Sequence, residues 1–363
     1  MTTKRKGRFV RPRTMDLDLT PTVSVVIPTY NYERYLPQAV QSVLSQEDVD
    51  VQVIIVDDCS TDDSLSVARG LALQHRQVQV VQNAKNCGPV YTFNHGLDHV
   101  TGEFLVRLDA DDLLTPGSLR RAADVCNMYP EVGLVYGHPL HFQDGPLPPA
   151  RNRVSGWSLW KGLDWVEERC RTGVNVITSP EAFVRMSVVH QVGGQCDLAH
   201  GHDMEMWLRV ATVSDVVYIR NADQAWHRDH DLSLSAQHVD VARDITERWL
   251  VFATLFDALP TGLERMRTMR AMAEQAMIDE GLGRLDNELR LGMRNTQLFE
   301  NLAETVSAMN LDADQQRLLE ELRQQSRYAP RYTGRELSML ARRIYGRLRR
   351  EYRQRHWRSF GVY

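Results

Sequence analysis

The stretch Glu103-Phe104-Leu105-Val106-Arg107-Leu108-Asp109-Ala110-Asp111-Asp112 decides how the rest of this 363-residue chain is read. A short apolar run with the character of a strand ends in three carboxylates within four positions. Side chains alternate along an extended chain, so Asp109 and Asp111 face the same way at its end. Two neighbouring carboxylates repel each other and call for a compensating positive charge. Hard oxygen ligands of this kind suit Mg²⁺ or Mn²⁺, which is usually held by one or two carboxylates together with substrate phosphates. The competing reading of the same residues is an acidic turn, with Asp112 or Thr115 near the N-cap of a following helix.

Working outward, the residues before this stretch alternate between strands and helices. Val23-Ser24-Val25-Val26-Ile27 reads as a buried strand that stops at Pro28-Thr29-Tyr30-Asn31. Tyr35, Leu36, Ala39, Val40, Val43 and Leu44 follow at helical spacing. Val51–Val56 is a second strand, ending in Asp57-Asp58-Cys59-Ser60, and Val78–Val81 a third, running into Asn86-Cys87-Gly88. Apolar strands alternating with helices predict a mostly parallel sheet covered on both faces. In such sheets ligands sit beyond the carboxyl ends of the strands, where the polar residues of this chain collect. Neither GxGxxG nor GxxxxGK[ST] is present, which disfavours a dinucleotide fold or a P-loop.

Ser24-Val25-Val26-Ile27-Pro28-Thr29-Tyr30-Asn31, Val56-Asp57-Asp58-Cys59-Ser60-Thr61-Asp62-Asp63 and Leu108-Asp109-Ala110-Asp111-Asp112, in this order, resemble the family 2 glycosyltransferases. The likeness covers about residues 22–240. It implies a GT-A fold, a Rossmann-like mixed sheet with helices on both faces, and inverting transfer of a sugar from a nucleoside diphosphate. By the resemblance Pro28, Thr29, Tyr30, Asn31, Asp58, Asn86 and Gly88 belong to the nucleotide site. Asp109 contacts the nucleotide and Asp111 the divalent metal. His230 is placed with the metal or diphosphate, and Arg228 with the phosphates.

A second cluster, His200-Gly201-His202-Asp203-Met204-Glu205, opens an apolar helix that reaches Arg209. Attack by an acceptor hydroxyl requires a base, and Asp203 is the expected one, with Glu205 as its rival. The family usually has Glu-Asp where this chain has His202-Asp203. His200, His202 and Trp157 are expected on the acceptor side. Trp157, Trp160 and Trp165 follow a stretch broken by Pro146, Pro148 and Pro149. They read either as sugar-stacking aromatics of a mobile loop or as packing for that loop.

From Val239 onward the pattern is helical, and Gly281 and Gly283 read as a helix stop. Ile245-Thr246-Glu247-Arg248-Trp249 lacks the Gln of the QxxRW motif found in processive members, so a non-processive enzyme is expected. The expected domains are therefore a basic disordered arm over 1–20, the GT-A domain over 21–240, and a helical region over 241–363 ending in a basic amphipathic helix, over residues 334–358. Charge is uneven: the net is −4, yet residues 1–20 carry six Lys and Arg against two Asp, and residues 327–363 carry eleven Arg against two Glu. Leu337, Leu340, Ile344, Leu348 and Tyr352 form an apolar stripe in that last segment, suited to an anionic membrane surface or to the protein's own acidic body.

Five cysteines without CxxC spacing suggest neither a zinc site nor a disulfide framework. No apolar run approaches spanning length, so a cytoplasmic protein, peripheral on the inner face of the membrane if the tail binds lipid, is expected. The expected partners are a UDP-sugar above other nucleoside-diphosphate sugars, Mn²⁺ or Mg²⁺, and a glycan, lipid-linked or small-molecule hydroxyl acceptor, with no nucleic acid. Two other functions fit the fold class: a sugar nucleotidyltransferase, or a catalytically inactive GT-A binding module. The first needs a Gly-rich basic loop where this chain has Pro28–Asn31; the retained Asp109, Asp111 and Asp203 argue against the second.

Overall fold

A computed structural model describes residues 7–12, 20–230, 241–259, 264–290, 296–328, 356–358 and 361. Ten strands form one mixed sheet: β1 Arg8–Val10, β2 Thr22–Thr29, β3 Asp50–Asp57, β4 Val78–Gln82, β5 Phe104–Arg107, β6 Leu113–Leu114, β7 Val132–Phe142, β8 Gly156–Trp160, β9 Phe183–Arg185 and β10 Asp215–Arg228. Their spatial order is β1-β8-β10-β7-β9-β5-β2-β3-β4, with β6 pairing β10 at the side. β2, β3, β4 and β5 run parallel. The short β9 is antiparallel to both β5 and β7 and joins that half to the rest.

Alternation explains why the central strands read as unbroken apolar runs. Val23, Val25 and Ile27 pack into one core while Val26 packs into the other, so both faces are buried. The helices that cover those faces are α1 Leu36–Leu44, α2 Ser64–Gln74, α3 Pro89–Leu97, α4 Ser118–Met128, α5 Gly162–Thr172, α6 Met186–Val192 and α7 His202–Val213. The C-terminal region adds α8 Val241–Ala258, α9 Glu264–Arg290, α10 Gln297–Ser307 and α11 Ala313–Tyr328. It is no detached appendage: Val251, Phe252, Leu255, Met266 and Met269 share a core with Trp165, Val166 and Met206. Among the described residues no helix is long and apolar enough to cross a membrane.

Four local expectations change. Arg8–Val10, placed within a disordered arm by composition, pairs with Leu159, Ser158 and Trp157 as an edge strand. Gly281 and Gly283 do not end a helix but lie inside α9. A Cβ on Gly281 would come within 2.3 Å of Val306 Cγ2, so its small size serves close packing of α9 on α10. The helix after the three carboxylates is capped by Gly117, not by Asp112 or Thr115. The Trp-rich stretch is not a loop, since Trp157 and Trp160 lie in β8 and Trp165 in α5, all three buried.

The basic helix expected over residues 334–358 lies outside the described residues except for 356–358, as do residues 1–6 and 13–19 of the arm. Trp357 is buried, its indole Nε1 donating to Val176 O at 3.2 Å and its ring centroid 4.9 Å from that of His138. Residues 356–358 therefore lie against the sheet.

Candidate active site

The carboxyl ends of β2, β3 and β5 meet in one crevice, as parallel pairing requires. Asp58 N donates to Thr29 O at 2.8 Å, and Leu108 N to Val26 O at 3.0 Å. On the β2 side, Tyr30 is exposed, and Asn31 adopts φ 60°. Asn31 Oδ1 accepts from Thr61 N at 2.8 Å, which ties the β2 turn to the β3 turn. Pro28 and Thr29 support this corner from the end of β2.

Asp58 is buried, and its carboxylate gathers three protein donors at 2.8 Å: Asn83 Nδ2, Cys87 N and Gly88 N. A carboxylate offers about four acceptor positions, so about one is left for a ligand. Its main work here is to fold residues 83–88 over the crevice. Gly88 supports that turn at φ 84°, a region side chains rarely adopt, and Asn86 is exposed on the turn.

Asp109 and Asp111 separate into different roles. Asp109 already has its counter-charge: Arg107 Nη2 lies 2.8 Å from Asp109 Oδ1. The Asp111 carboxylate has no Arg or Lys ion-pair partner among the described residues, and His230 Nε2 sits 2.7 Å from its Oδ2. Burial and then Asp109 raise the Asp111 carboxyl, while His230 opposes them. Tyr32 is pushed up by burial and by Asp111, Asp109 and Asp112. An oxygen and an imidazole nitrogen facing one another in an acidic crevice fit a divalent cation, with a diphosphate supplying further oxygens.

Arg107, which sequence reasoning passed over, is the hinge of the site. It is buried, and its Nη1 lies 3.2 Å from His202 Nε2, while Nη2 holds Asp109. Guanidinium only donates, so His202 Nε2 accepts, and the ring's proton lies on Nδ1, donated to Leu198 O at 3.2 Å. Burial and then Arg107 lower the His202 pKa, consistent with a neutral ring. Both His202 nitrogens are thus spent on protein, which removes it from the acceptor contacts. His200, half-buried, is tied through its backbone N–H to Glu247 on α8 at 3.4 Å.

Asp203 stands in the first turn of α7, partly exposed. Its Oδ2 accepts from Ser179 Oγ at 3.0 Å and its Oδ1 from Met204 N at 2.6 Å. Glu205 is excluded as the base: it is fully buried and held by Arg209 Nε and Nη2 at 2.9 and 2.7 Å. Glu181, also buried, accepts from Thr178 N and Oγ1 and so shapes the turn that carries Ser179. Burial raises the Glu181 carboxyl to about 7.

Two expectations are corrected by packing. Arg228 is not available to phosphate: its Nε donates to Asp111 O, Nη1 to Asp144 Oδ1 and Nη2 to Gln38 Oε1, each at 2.9 Å. Its guanidinium carbon lies 4.5 Å from the ring centroids of both Tyr35 and Phe142. Trp157 faces the core, edge-on to Tyr129 with centroids 6.0 Å apart, so it cannot stack on an acceptor sugar. Asp112 is likewise structural and fully buried: its Oδ2 holds His227 Nδ1 at 3.0 Å, and its Oδ1 accepts from Arg228 N at 2.8 Å. Burial opposes charge on His227, but Asp112, Glu181 and Asp109 outweigh it and raise the imidazole to about 10.

Residues 24–192 match the family described as Glycosyl transferase family 2. A Nostoc sp. protein named as an uncharacterized glycosyltransferase is 40% identical over 124 residues, 34% of this chain and 38% of its own length. The GalNAc(5)-diNAcBac-PP-undecaprenol beta-1,3-glucosyltransferase of Campylobacter jejuni is 39% identical over 129 residues, 35% of this chain and 41% of its own length. The chain thus spans about two fifths of these curated relatives. Among solved structures, S. aureus TarS 1-349 in complex with UDP-GlcNAc superposes with a TM-score of 0.59 at 16% identity, covering 84% of this chain and 88% of that one. The mannosyltransferase PcManGT from Pyrobaculum calidifontis, in complex with GDP-Man and Mn2+, gives 0.55 at 17% identity, covering 90% and 85%. The fold is that of the GT-A glycosyltransferases.

Proposed function

We propose that the chain is an inverting, metal-dependent, non-processive glycosyltransferase that moves a sugar from a nucleoside diphosphate to a hydroxyl acceptor in glycan or glycoconjugate synthesis. One observation carries this reading. The Arg107 guanidinium holds Asp109 on one side and His202 on the other, so the Asp109 carboxylate is fixed against the turn that presents Asp203. The match of residues 24–192 to family 2 supports the same assignment.

Tyr30 offers an exposed aromatic face for the base, and the turn over 83–88 closes the nucleotide side. Asp111 and His230 would hold Mn²⁺ or Mg²⁺, which offsets the charge that develops on a departing diphosphate. Asp203 takes the acceptor hydroxyl's proton as its oxygen bonds to the anomeric carbon. The bond from that carbon to the diphosphate oxygen breaks, and its electron pair leaves with the nucleoside diphosphate. Burial of Trp357 supports docking of residues 356–358 on the protein itself.

The test is a melting screen of the full chain with UDP-, GDP- and dTDP-sugars, with and without Mn²⁺. A true donor raises the melting temperature through linkage only when the metal is present. A chain that no nucleotide sugar stabilises in Mn²⁺ overturns the proposal.

A further inference from the structure

His141 and His227 are register partners on the parallel strands β7 and β10, so their side chains stand side by side on one face. Their ring centroids are 5.1 Å apart. Asp229 lies two residues beyond His227, hence on that same face, and its N–H donates to Phe142 O at 2.8 Å. His141 Nδ1 and Asp229 Oδ1 are 3.0 Å apart. Arg228 and His230 alternate to the opposite side, toward Asp111. Among the described residues, this trio is the group of three His, Cys, Asp or Glu side chains whose ligand atoms all fall within 4.8 Å of one another.

We propose that His141, His227 and Asp229 form a divalent-cation site separate from Asp111 and His230, selective for Zn²⁺-class ions over Mg²⁺. Two imidazoles and one carboxylate are the donor set of borderline metals, with Mg²⁺ preferring oxygen alone. The second layer is built as well. Buried Asp112 accepts from His227 Nδ1 at 3.0 Å, which fixes the ring; the ion takes the place of the Nε2 proton, which is released to solvent. A carboxylate behind a histidine is the usual support of a metal-bound imidazole. At bond lengths of about 2.0–2.1 Å, neighbouring ligand atoms in a tetrahedral site lie about 3.3 Å apart. His141 and Asp229 are each about half exposed, 50% and 49%, and are free to close on the ion. A water fills the fourth position, facing solvent.

The experiment uses the full chain stripped with EDTA and titrated with Co²⁺, read by ligand-field absorption, and with Zn²⁺, read by calorimetry. Wild type should show a Co²⁺ band that Zn²⁺ abolishes and that excess Mg²⁺ leaves in place. His141→Ala and Asp229→Ala should weaken Zn²⁺ binding about 10–100-fold or more and lose the band. Asp111→Asn should keep both. If an alanine variant melts lower than wild type in EDTA, His141→Asn takes its place. A Co²⁺ band that survives every change at 141 and 229, or one lost only in Asp111→Asn, overturns the proposal.

Discussion

Ser179 Oγ donates to Asp203 Oδ2 at 3.0 Å from a backbone held at φ 105°, a conformation that residues other than glycine rarely adopt. Strain of about 1–3 kcal/mol persists at such positions only where the surroundings enforce it, and here buried Glu181 and Thr178 do so. The product of that strain is an aimed carboxylate. Asp203→Asn should lower transfer by about 10² to 10⁴ while leaving donor affinity unchanged. Ser179→Gly should lower kcat about tenfold yet raise the melting temperature, because it relieves about 1–3 kcal/mol of strain while releasing the base. Transfer kinetics with a separate donor-binding titration decide this. Loss of donor binding in Asp203→Asn would remove Asp203 from the acceptor side.

Asp111→Asn tests the metal. The Asp111 carboxyl is buried and raised by burial and by Asp109, so the neutral amide should fold at least as well as wild type without metal. Transfer should be abolished, and nucleoside-diphosphate binding should no longer respond to Mn²⁺. Near wild-type turnover would refute the assignment of Asp111 and His230 as the metal pair.

Much of the strand-end cluster was legible because it is local. Strand periodicity and strand-end carboxylates place Thr29, Asp58, Asp109 and Asp111 in one crevice, where the fold puts them. Contacts made across long sequence separations were not legible. Arg107 meets His202 across 95 residues, and Arg228 meets Gln38 across 190, so no spacing rule could show that both guanidiniums are taken. Trp157 misled for another reason: proline-rich sequence marks irregular chain before β8, but says nothing about which face the next tryptophan covers.

Trp157 is therefore a stability position. Trp157→Ala should cost about 3–5 kcal/mol through the cavity it leaves, seen as a large fall in the denaturation midpoint. The acceptor KM of whatever folded enzyme remains should stay near wild type. A rise in KM without a loss of stability would return Trp157 to the acceptor site.

Glu181 sets the expected pH dependence. Burial lifts its carboxyl from an ordinary 4.5 to about 7 in the folded protein, so the native state binds the proton more tightly than the unfolded chain does. A carboxyl shifted in this direction makes stability fall as pH rises between about 4.5 and 7, after which the cost is constant. The size, from the shift at about 1.4 kcal/mol per unit, is a few kcal/mol at most. Glu181→Gln keeps an acceptor for Thr178 and removes the titrating proton. Its melting temperature should match wild type near pH 4.5 and exceed it at pH 8. Equal melting temperatures at both pH values would mean that Glu181 is charged without penalty in the fold, with the nearby His227 supplying the compensation.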